Sequence, residues 1–376
     1  MDGNDGRLPI AITPEVEALL ARNATVAIGV SGGKDSVAVA IAVSKHLDAI
    51  GHTGNRVLVH ADLGRVEWKD SLPSCQRLAE RIGWDLMVVA RGAGDMLARW
   101  EGRWANNVAR YADLSCVKLI LPWSTPAMRF CTSELKVAVI TSALRKRFPR
   151  EDIVNVAGIR RQESSARAKM PVSAPMARLA RKDAVGMTWN AIIEWPVEQV
   201  FDEIASAGLV SHEAYTVYGA SRVSCVYCIM SSAVDLQAGV RCADNHDVYR
   251  AMVEIEARST FAFQGSRWLA DVAPHLLSDD LVQRVERAKR GAAERQAAEA
   301  MLPDHLLYTK GWPTSIPTWS EAELIADVRR RVAQAVGIDV GVTTPEAVIE
   351  RYVELRAAAA ARSLALEPVI DLVPGM

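Results

Sequence analysis

At 376 residues the chain has room for two or three domains of about 150 residues each, and its 50% hydrophobic, 24% charged composition is that of a soluble globular protein. A formal net charge of -1 excludes a protein that coats nucleic acid through its overall charge. Six cysteines are too sparse for a disulfide scaffold, no apolar run follows the acidic start, and nothing reaches the roughly 18 apolar residues of a spanning helix, so a cytoplasmic protein with reduced cysteines and no membrane partner is expected.

Thr25–Val30 (TVAIGV) reads as a strand that breaks into Ser31-Gly32-Gly33, and Asp35 to Ala49 reads as the helix after it. Arg56–His60 is a second strand, stopping at Ala61-Asp62-Leu63-Gly64. Helix patterns follow around Ser74–Ile82, Asp95–Asn106 and Thr132–Arg147, with strands at Asp85–Ala90 and Asp152–Ala157. Strands alternating with helices predict an α/β fold, a doubly wound parallel sheet covered on both faces. The alternation lapses from Gly158 to Trp189, which reads as a long loop. A helix over Val197–Gly208 precedes a cysteine-bearing segment, 221–242. Beyond residue 245, Leu281–Ala300, Ser320–Val336 and Thr344–Ser363 predict a helical region. The expected division is therefore a nucleotide-binding domain over 1–245 and a C-terminal helical region over 246–376.

Ser31-Gly32-Gly33-Lys34-Asp35-Ser36 lies between a strand and a helix, where α/β sheets bind phosphate. Two glycines let backbone N–H groups approach phosphate oxygens. Ser31 and Ser36 can donate hydroxyls, Lys34 offsets phosphate charge, and Asp35 suits Mg²⁺. The hexapeptide matches neither GxxxxGK[ST] nor GxGxxG. It resembles the loop of the ATP-pyrophosphatase (PP-loop) superfamily, whose members cleave ATP between the α- and β-phosphates and adenylate a substrate. That resemblance implies an adenine nucleotide alpha hydrolase-like fold with ATP and Mg²⁺ as ligands. Asp62, ending the second strand, stands where such a fold engages ribose or adenine; its other reading is a turn-forming Asp before Gly64.

Gly158-Ile-Arg160-Arg161-Gln-Glu163-Ser-Ser-Ala-Arg167 follows the last clear strand. Guanidinium groups offer bidentate forks to sulfate or phosphate. Across residues 136–182 there are 12 Lys or Arg against 3 acidic residues, a local charge of +9. Such a concentration marks an anionic ligand, either a second nucleotide group or a nucleic-acid backbone. The segment is similar to the GIR…ES..RA motif of the phosphoadenosine-phosphosulfate (PAPS) reductase family. Catalytic roles are assigned to Lys34, Asp35 and Arg160, and substrate binding to Lys136, Arg160, Arg161, Glu163 and Arg167.

Cys225-Val-Tyr-Cys228 is a CxxC, ambiguous alone between a redox pair and a metal half-site. Cys242 and Cys131 are further candidate ligands, and four thiolates suit Zn²⁺ or a [4Fe–4S] cluster equally by spacing. The segments RFCTSELK (129–136) and GASRVSCVYC (219–228) resemble those of PAPS-reductase-like proteins of the DndC type. That resemblance implies a [4Fe–4S] cluster on Cys131, Cys225, Cys228 and Cys242. Cys75 and Cys116 read as core thiols, with Cys116 the candidate if a persulfide carrier exists.

The resemblance spans about residues 24–245. PAPS reductases carry a C-terminal ECG(L/I)H nucleophile, whereas no cysteine follows Cys242 here, and HADLG replaces their Asp-Thr-Gly signature. Both departures favour an ATP pyrophosphatase in sulfur insertion, with a nucleic-acid or nucleotide acceptor and a cysteine desulfurase as sulfur donor. The alternatives are a sulfonucleotide reductase and a catalytically quiet nucleotide-binding module with zinc.

Overall fold

The computed structural model describes residues 8–365. The strands are β1 (Thr25–Val30), β2 (Arg56–Asp62), β3 (Asp85–Ala90), β4 (Ile153–Val156), β5 (Ser173–Pro175) and β6 (Gly186–Trp189). They form a six-stranded sheet in the order β3-β2-β1-β4-β6-β5. Every pairing is parallel except that of β5 with β6. The longer helices are α1 (Pro14–Ala21), α2 (Lys34–Ala49), α3 (Ser71–Ile82), α4 (Met96–Ala112), α5 (Ala138–Arg147), α6 (Val197–Ser206), α7 (Ala233–Arg241), α8 (His246–Ser259), α9 (Asp279–Glu299), α10 (Trp319–Val336) and α11 (Pro345–Ala365). This is the α/β class, with C-terminal helices, that the sequence predicts.

Apolar side chains of β1 and β2 leave the sheet on both faces, as a parallel sheet requires. On one face Val26 and Ile28 meet Val39 and Val43 of α2, with Trp189 and Ile204 in the same core. On the other, Val57 and Val59 meet Leu144 and Phe148 around α5. Small residues, Ala38, Ala40 and Ala42, let α2 lie largely buried against the sheet and its neighbours, with Lys45 and Asp48 left exposed near its end.

Register aligns the carboxyl ends of three central strands. Val30 pairs with His60, and Ile28 pairs with Val156. The chain therefore leaves β1, β2 and β4 at one edge. Because β2 lies on one side of β1 and β4 on the other, the crevice between the loops after β1 and β4 is the topological switch point, where such sheets bind ligands.

The long loop expected over 158–189 contains β5 and β6 instead. Both are three or four residues long, too short for a hydrophobic period, and β6 takes its partners from β4 by pairing Val156 with Trp189. The helix expected over 132–147 is also interrupted: Phe130–Thr132 is a helical turn, Ser133–Val137 is π-helical, and only then does α5 begin.

Two compact units result, which divide differently from an expected boundary at residue 245. The first holds the described residues up to Ala98 together with Ser124–Tyr249. The second holds Arg99–Trp123 together with the described residues from Arg250 onward. The reason is apolar: Trp104 and Tyr111 of α4, with Leu114 and Val117 after it, bury against Leu302, Ile325, Val332 and Tyr352. Among the described residues no helix is long and apolar enough to cross a membrane.

Candidate functional site

The glycine loop turns sharply because Gly32 adopts φ +72°, a left-handed conformation that favours glycine. A Cβ there would lie 2.9 Å from the Ser71 carbonyl oxygen and 3.1 Å from the His212 ring. Gly33 caps α2, and the Ser36 hydroxyl donates to its carbonyl at 2.8 Å while accepting the Ser31 N–H at 3.3 Å. The loop thus closes over the α2 N-terminus, a ready anion site. The Lys34 N–H donates to the Tyr215 hydroxyl at 3.2 Å, and Lys34 Nζ donates to the Ser221 carbonyl at 3.2 Å.

Arg160, buried with 4% exposure, reaches this loop from the segment after β4. Its Nε donates to Asp35 Oδ1 at 2.5 Å, and Lys34 Nζ lies 3.4 Å from Asp35 Oδ2. Both carboxylate oxygens of Asp35 therefore face a cation. Gly158 makes the approach possible, since a Cβ on it would stand 2.5 Å from the Asp35 carbonyl oxygen. Glu163 accepts the Arg160 N–H at 2.9 Å and pairs with Arg167. Arg161 turns the other way, to Glu194 and to the carbonyls of Ala168 and Met170, each at 2.7 Å. Within the arginine loop, then, Arg160 meets the glycine loop and the first turn of α2, and Arg161 braces the arginine loop itself.

Asp62 accepts the Gly64 N–H at 2.7 Å, the turn geometry that its position before glycine suggests. Two residues earlier, His60 is buried and contacts the Val30 carbonyl at 3.1 Å, Glu67 at 3.0 Å and the Cys75 sulfur at 3.8 Å. Burial works against a charged imidazole there, yet the bonds to Cys75 and Glu67 outweigh it and raise the group to about 10. The buried His60 ring thus ties the end of β1, which feeds the glycine loop, to Glu67 and Cys75.

The thiols come from two segments. Cys131 belongs to the turn before the π-helical stretch, and Lys136 lies within that stretch. Cys225 and Cys228 follow the Gly219-Ala-Ser221-Arg222 segment, pinned by the Val226 N–H donating to the Val66 carbonyl at 2.8 Å. Burial pushes the Cys225 thiol up to about 12, the neighbouring Cys228, Glu67 and Cys131 push the same way, and Lys136 opposes them. Cys131, Cys225, Cys228 and Lys136 therefore occupy one neighbourhood. The Met230 N–H points at Cys228 Sγ from 3.4 Å, a contact that suits a thiolate. Cys242 is buried in other company, beside Tyr218 and near Lys69. The three grouped sulfurs are a donor set suited to a soft metal or iron–sulfur centre, although among the described residues no three His, Cys, Asp or Glu side chains converge as closely as a bound ion requires.

Sequence reading missed the groups that join these parts. Tyr215 OH accepts N–H bonds from Lys34 and, at 3.1 Å, from Val223, and burial raises it to about 12. Asp235 accepts the Ser221 N–H at 2.7 Å and its hydroxyl at 2.9 Å. Burial works to raise that carboxyl, but the bonds from Ser221 and Ser232 hold it below its ordinary range. A continuous chain of contacts therefore runs Asp235–Ser221–Lys34–Asp35–Arg160.

No curated protein sequence matches this chain. Among solved structures, the U34-tRNA thiolase NcsA from Methanococcus maripaludis with its [4Fe-4S] cluster is similar at 13% identity and a TM-score of 0.34, over 70% of this chain and 77% of that one. The sequence model of the phosphoadenosine phosphosulfate reductase domain matches residues 25–230, which take in the glycine loop, the arginine loop and both thiol segments. With more than half its length so matched, the chain belongs to the phosphoadenosine phosphosulfate reductase domain family.

Proposed function

We propose that the first unit is an ATP pyrophosphatase that adenylates a nucleic-acid or nucleotide acceptor for sulfur insertion, in the manner of DndC-type phosphorothioation or base thiolation. The observation that carries this reading is the bond from Lys34 Nζ to the Ser221 carbonyl. It ties the phosphate-binding loop to the segment that bears Cys225 and Cys228, so nucleotide and sulfur chemistry share one site.

In this reading Ser31, Gly32, Gly33 and Ser36 donate to the outer phosphates at the α2 N-terminus. An acceptor oxygen attacks the α-phosphorus; the new O–P bond forms as the bond to the bridging oxygen breaks, and pyrophosphate leaves with Mg²⁺. Lys34 and Arg160 offset the charge that grows on that leaving group. Asp35 aims both cations, and the lone pairs left on its two oxygens can ligate Mg²⁺. Asp62 holds the nucleoside end, while Lys136, Glu163 and Arg167, with Arg161 as brace, shape the acceptor side. The terminal sulfur of a persulfide supplied by a cysteine desulfurase then displaces AMP from the adenylated position, and a second thiol cleaves the S–S bond so formed, leaving the thio product and a disulfide.

Cys131, Cys225 and Cys228 would hold a [4Fe–4S] cluster, with Cys242 outside the ligand set. When bound, such a cluster supplies iron that can ligate sulfur. The test is pyrophosphate release from ATP by the full chain, prepared anaerobically, with and without RNA or DNA. Release stimulated by nucleic acid supports the proposal. Sulfite release from a sulfonucleotide without pyrophosphate overturns it in favour of the reductase reading.

A further inference from the structure

Residues 136–182 carry 12 Lys or Arg against 3 acids, and only Lys136, Arg160, Arg161 and Arg167 belong to the site described above. Six others, Arg145, Lys146, Arg150, Arg178, Arg181 and Lys182, stand at the far end of the same sheet. There α5 ends at Arg147 and β4 begins at Ile153. Likewise β5, antiparallel to β6, ends at Pro175, and β6 begins at Gly186. The turns 148–152 and 176–185 therefore share the amino edge of the sheet, opposite the crevice.

Three features make this edge more than a solvated row of charges. First, the two turns are locked into one surface. Arg181 Nη1 donates to the Phe148 carbonyl at 2.9 Å, Asp152 Oδ1 accepts the Val185 N–H at 2.7 Å, and Phe148 and Leu179 are buried in one core.

Second, the charge is left uncompensated. Arg145, Lys146, Arg150, Arg178 and Lys182 are exposed, and among the described residues none of them has an ion pair or a side-chain hydrogen bond. The acids of these turns are committed elsewhere: Asp152 pairs with Arg22 at 2.7 Å, and Glu151 accepts the Asn55 amide at 2.9 Å. Asp183 alone opposes the six cations, while Arg147 is already paired with Asp85.

Third, Arg181 holds an unused fork. Its Nη1 is spent on Phe148, but Nε and Nη2 are buried without a hydrogen-bond partner among the described residues. Those two N–H groups form the edge of a guanidinium that grips two phosphate oxygens side by side. Buried donors left unmade are costly, and an oxyanion reaching under the exposed turn 182–183 would satisfy both. Nothing here could stack on a base, since Phe148 is the sole aromatic of the two turns and is buried. Single-strand binders use exposed aromatics; a cationic surface without them reads backbone phosphates alone.

We propose that the amino edge of the first unit binds the phosphate backbone of double-helical nucleic acid, with Arg181 as its bidentate anchor. The inference rests on the proposed nucleic-acid acceptor and names its form, a duplex that continues past the modified position. β4 crosses the sheet in four residues, about 13 Å, so a duplex that reaches both ends extends at least about four base pairs beyond the crevice.

The test is fluorescence anisotropy of the full chain with labelled RNA and DNA duplexes, the matching single strands, and phosphatidylserine vesicles, across a salt series. Duplexes should bind more tightly than single strands. Six phosphate contacts give a slope of about -5 in log affinity against log salt. R145Q/K146Q/R150Q should reduce that magnitude by about half and R178Q/K182Q by about a third, with melting temperatures unchanged. R181K keeps the charge but loses the fork, and should weaken binding roughly tenfold with the slope intact. Wild-type slopes in both glutamine variants, or vesicles bound in place of duplex, overturn the proposal. Duplex binding that follows these variants while nucleic acid fails to stimulate pyrophosphate release counts against the ATP reading and leaves this surface standing.

Discussion

Arg160 Nε and Asp35 Oδ1 stand 2.5 Å apart although 125 residues separate them in sequence, and that bond locks the loop after β4 to the first turn of α2. With Lys34 on the other carboxylate oxygen, Asp35 is the hub of a small charge cluster rather than an isolated carboxylate. Replacing it with Ala leaves the mostly buried Arg160 without its anion, a loss that costs about 3 kcal/mol for a fully buried pair and less here, because Asp35 is partly exposed. We expect D35A to lower pyrophosphate release at least a hundredfold while iron and sulfide content stay at wild-type values. A loss of iron in this variant would show that the two parts of the site are not separable.

Gly158→Ala places a methyl group 2.5 Å from a backbone oxygen that cannot rotate away. Overpacking of this kind costs about 1–3 kcal/mol. The expected outcome is a lower melting temperature together with loss of ATP turnover, because the loop after β4 and the first turn of α2 are forced apart. Gly92→Ala is the control, since a Cβ there meets nothing within 4 Å. Equal behaviour of the two variants would contradict the close approach.

His212 backs onto the glycine loop, and its pH behaviour follows from its surroundings. Burial lowers it to about 4, Asp70 opposes that in part, and Arg77 adds to it. The folded chain therefore binds this proton less readily than the unfolded chain, whose imidazole titrates near 6.5. Stability from this group is complete above about 6.5 and is lost as pH falls towards 4, by about 3 kcal/mol in all. Urea midpoints at several pH values should show the decline, and His212→Asn should flatten it. Unchanged slopes in the variant would sink the assignment.

The grouping of thiols separates the cysteines by experiment. After anaerobic purification, C131S, C225S and C228S should each lose most iron, whereas C242S should keep it. Iron lost from C242S, with the fold intact by circular dichroism, returns Cys242 to the ligand set. Stoichiometric zinc with no iron in the parent protein removes the cluster from the account.

What the sequence reveals and what it hides follow from range. Ser31–Ser36 is legible because strand, turn and helix cap are contiguous, and the alternation around it carries the sheet. Gly158 and Ser221 stand within recognisable motifs, but their tasks, clearance for the Asp35 carbonyl and a carbonyl for Lys34, lie in contacts made 123 and 187 residues away. Tyr215 and His212 belong to no motif and act through backbone groups, which leave no signature in residue type. β6 is too short to show a period, and Arg161 resembles Arg160 in sequence while turning to the opposite side.

The π-helical stretch Ser133–Val137 lies between Cys131 and α5. A turn of this kind carries about one residue more than an α-helical turn, and each residue corresponds to about 100° around the axis. The azimuth of Cys131 relative to the buried face of α5 is therefore set by a single inserted position. Deleting one residue between 133 and 137 would return the turn to α-helix and leave Leu144 and the sulfur near their present azimuths, whereas tightening the turn to α-helix at full length would swing the sulfur about a quarter-turn. The position of Cys131 beside Cys225 and Cys228 thus depends on the pitch of one helical turn, with every cysteine still in place.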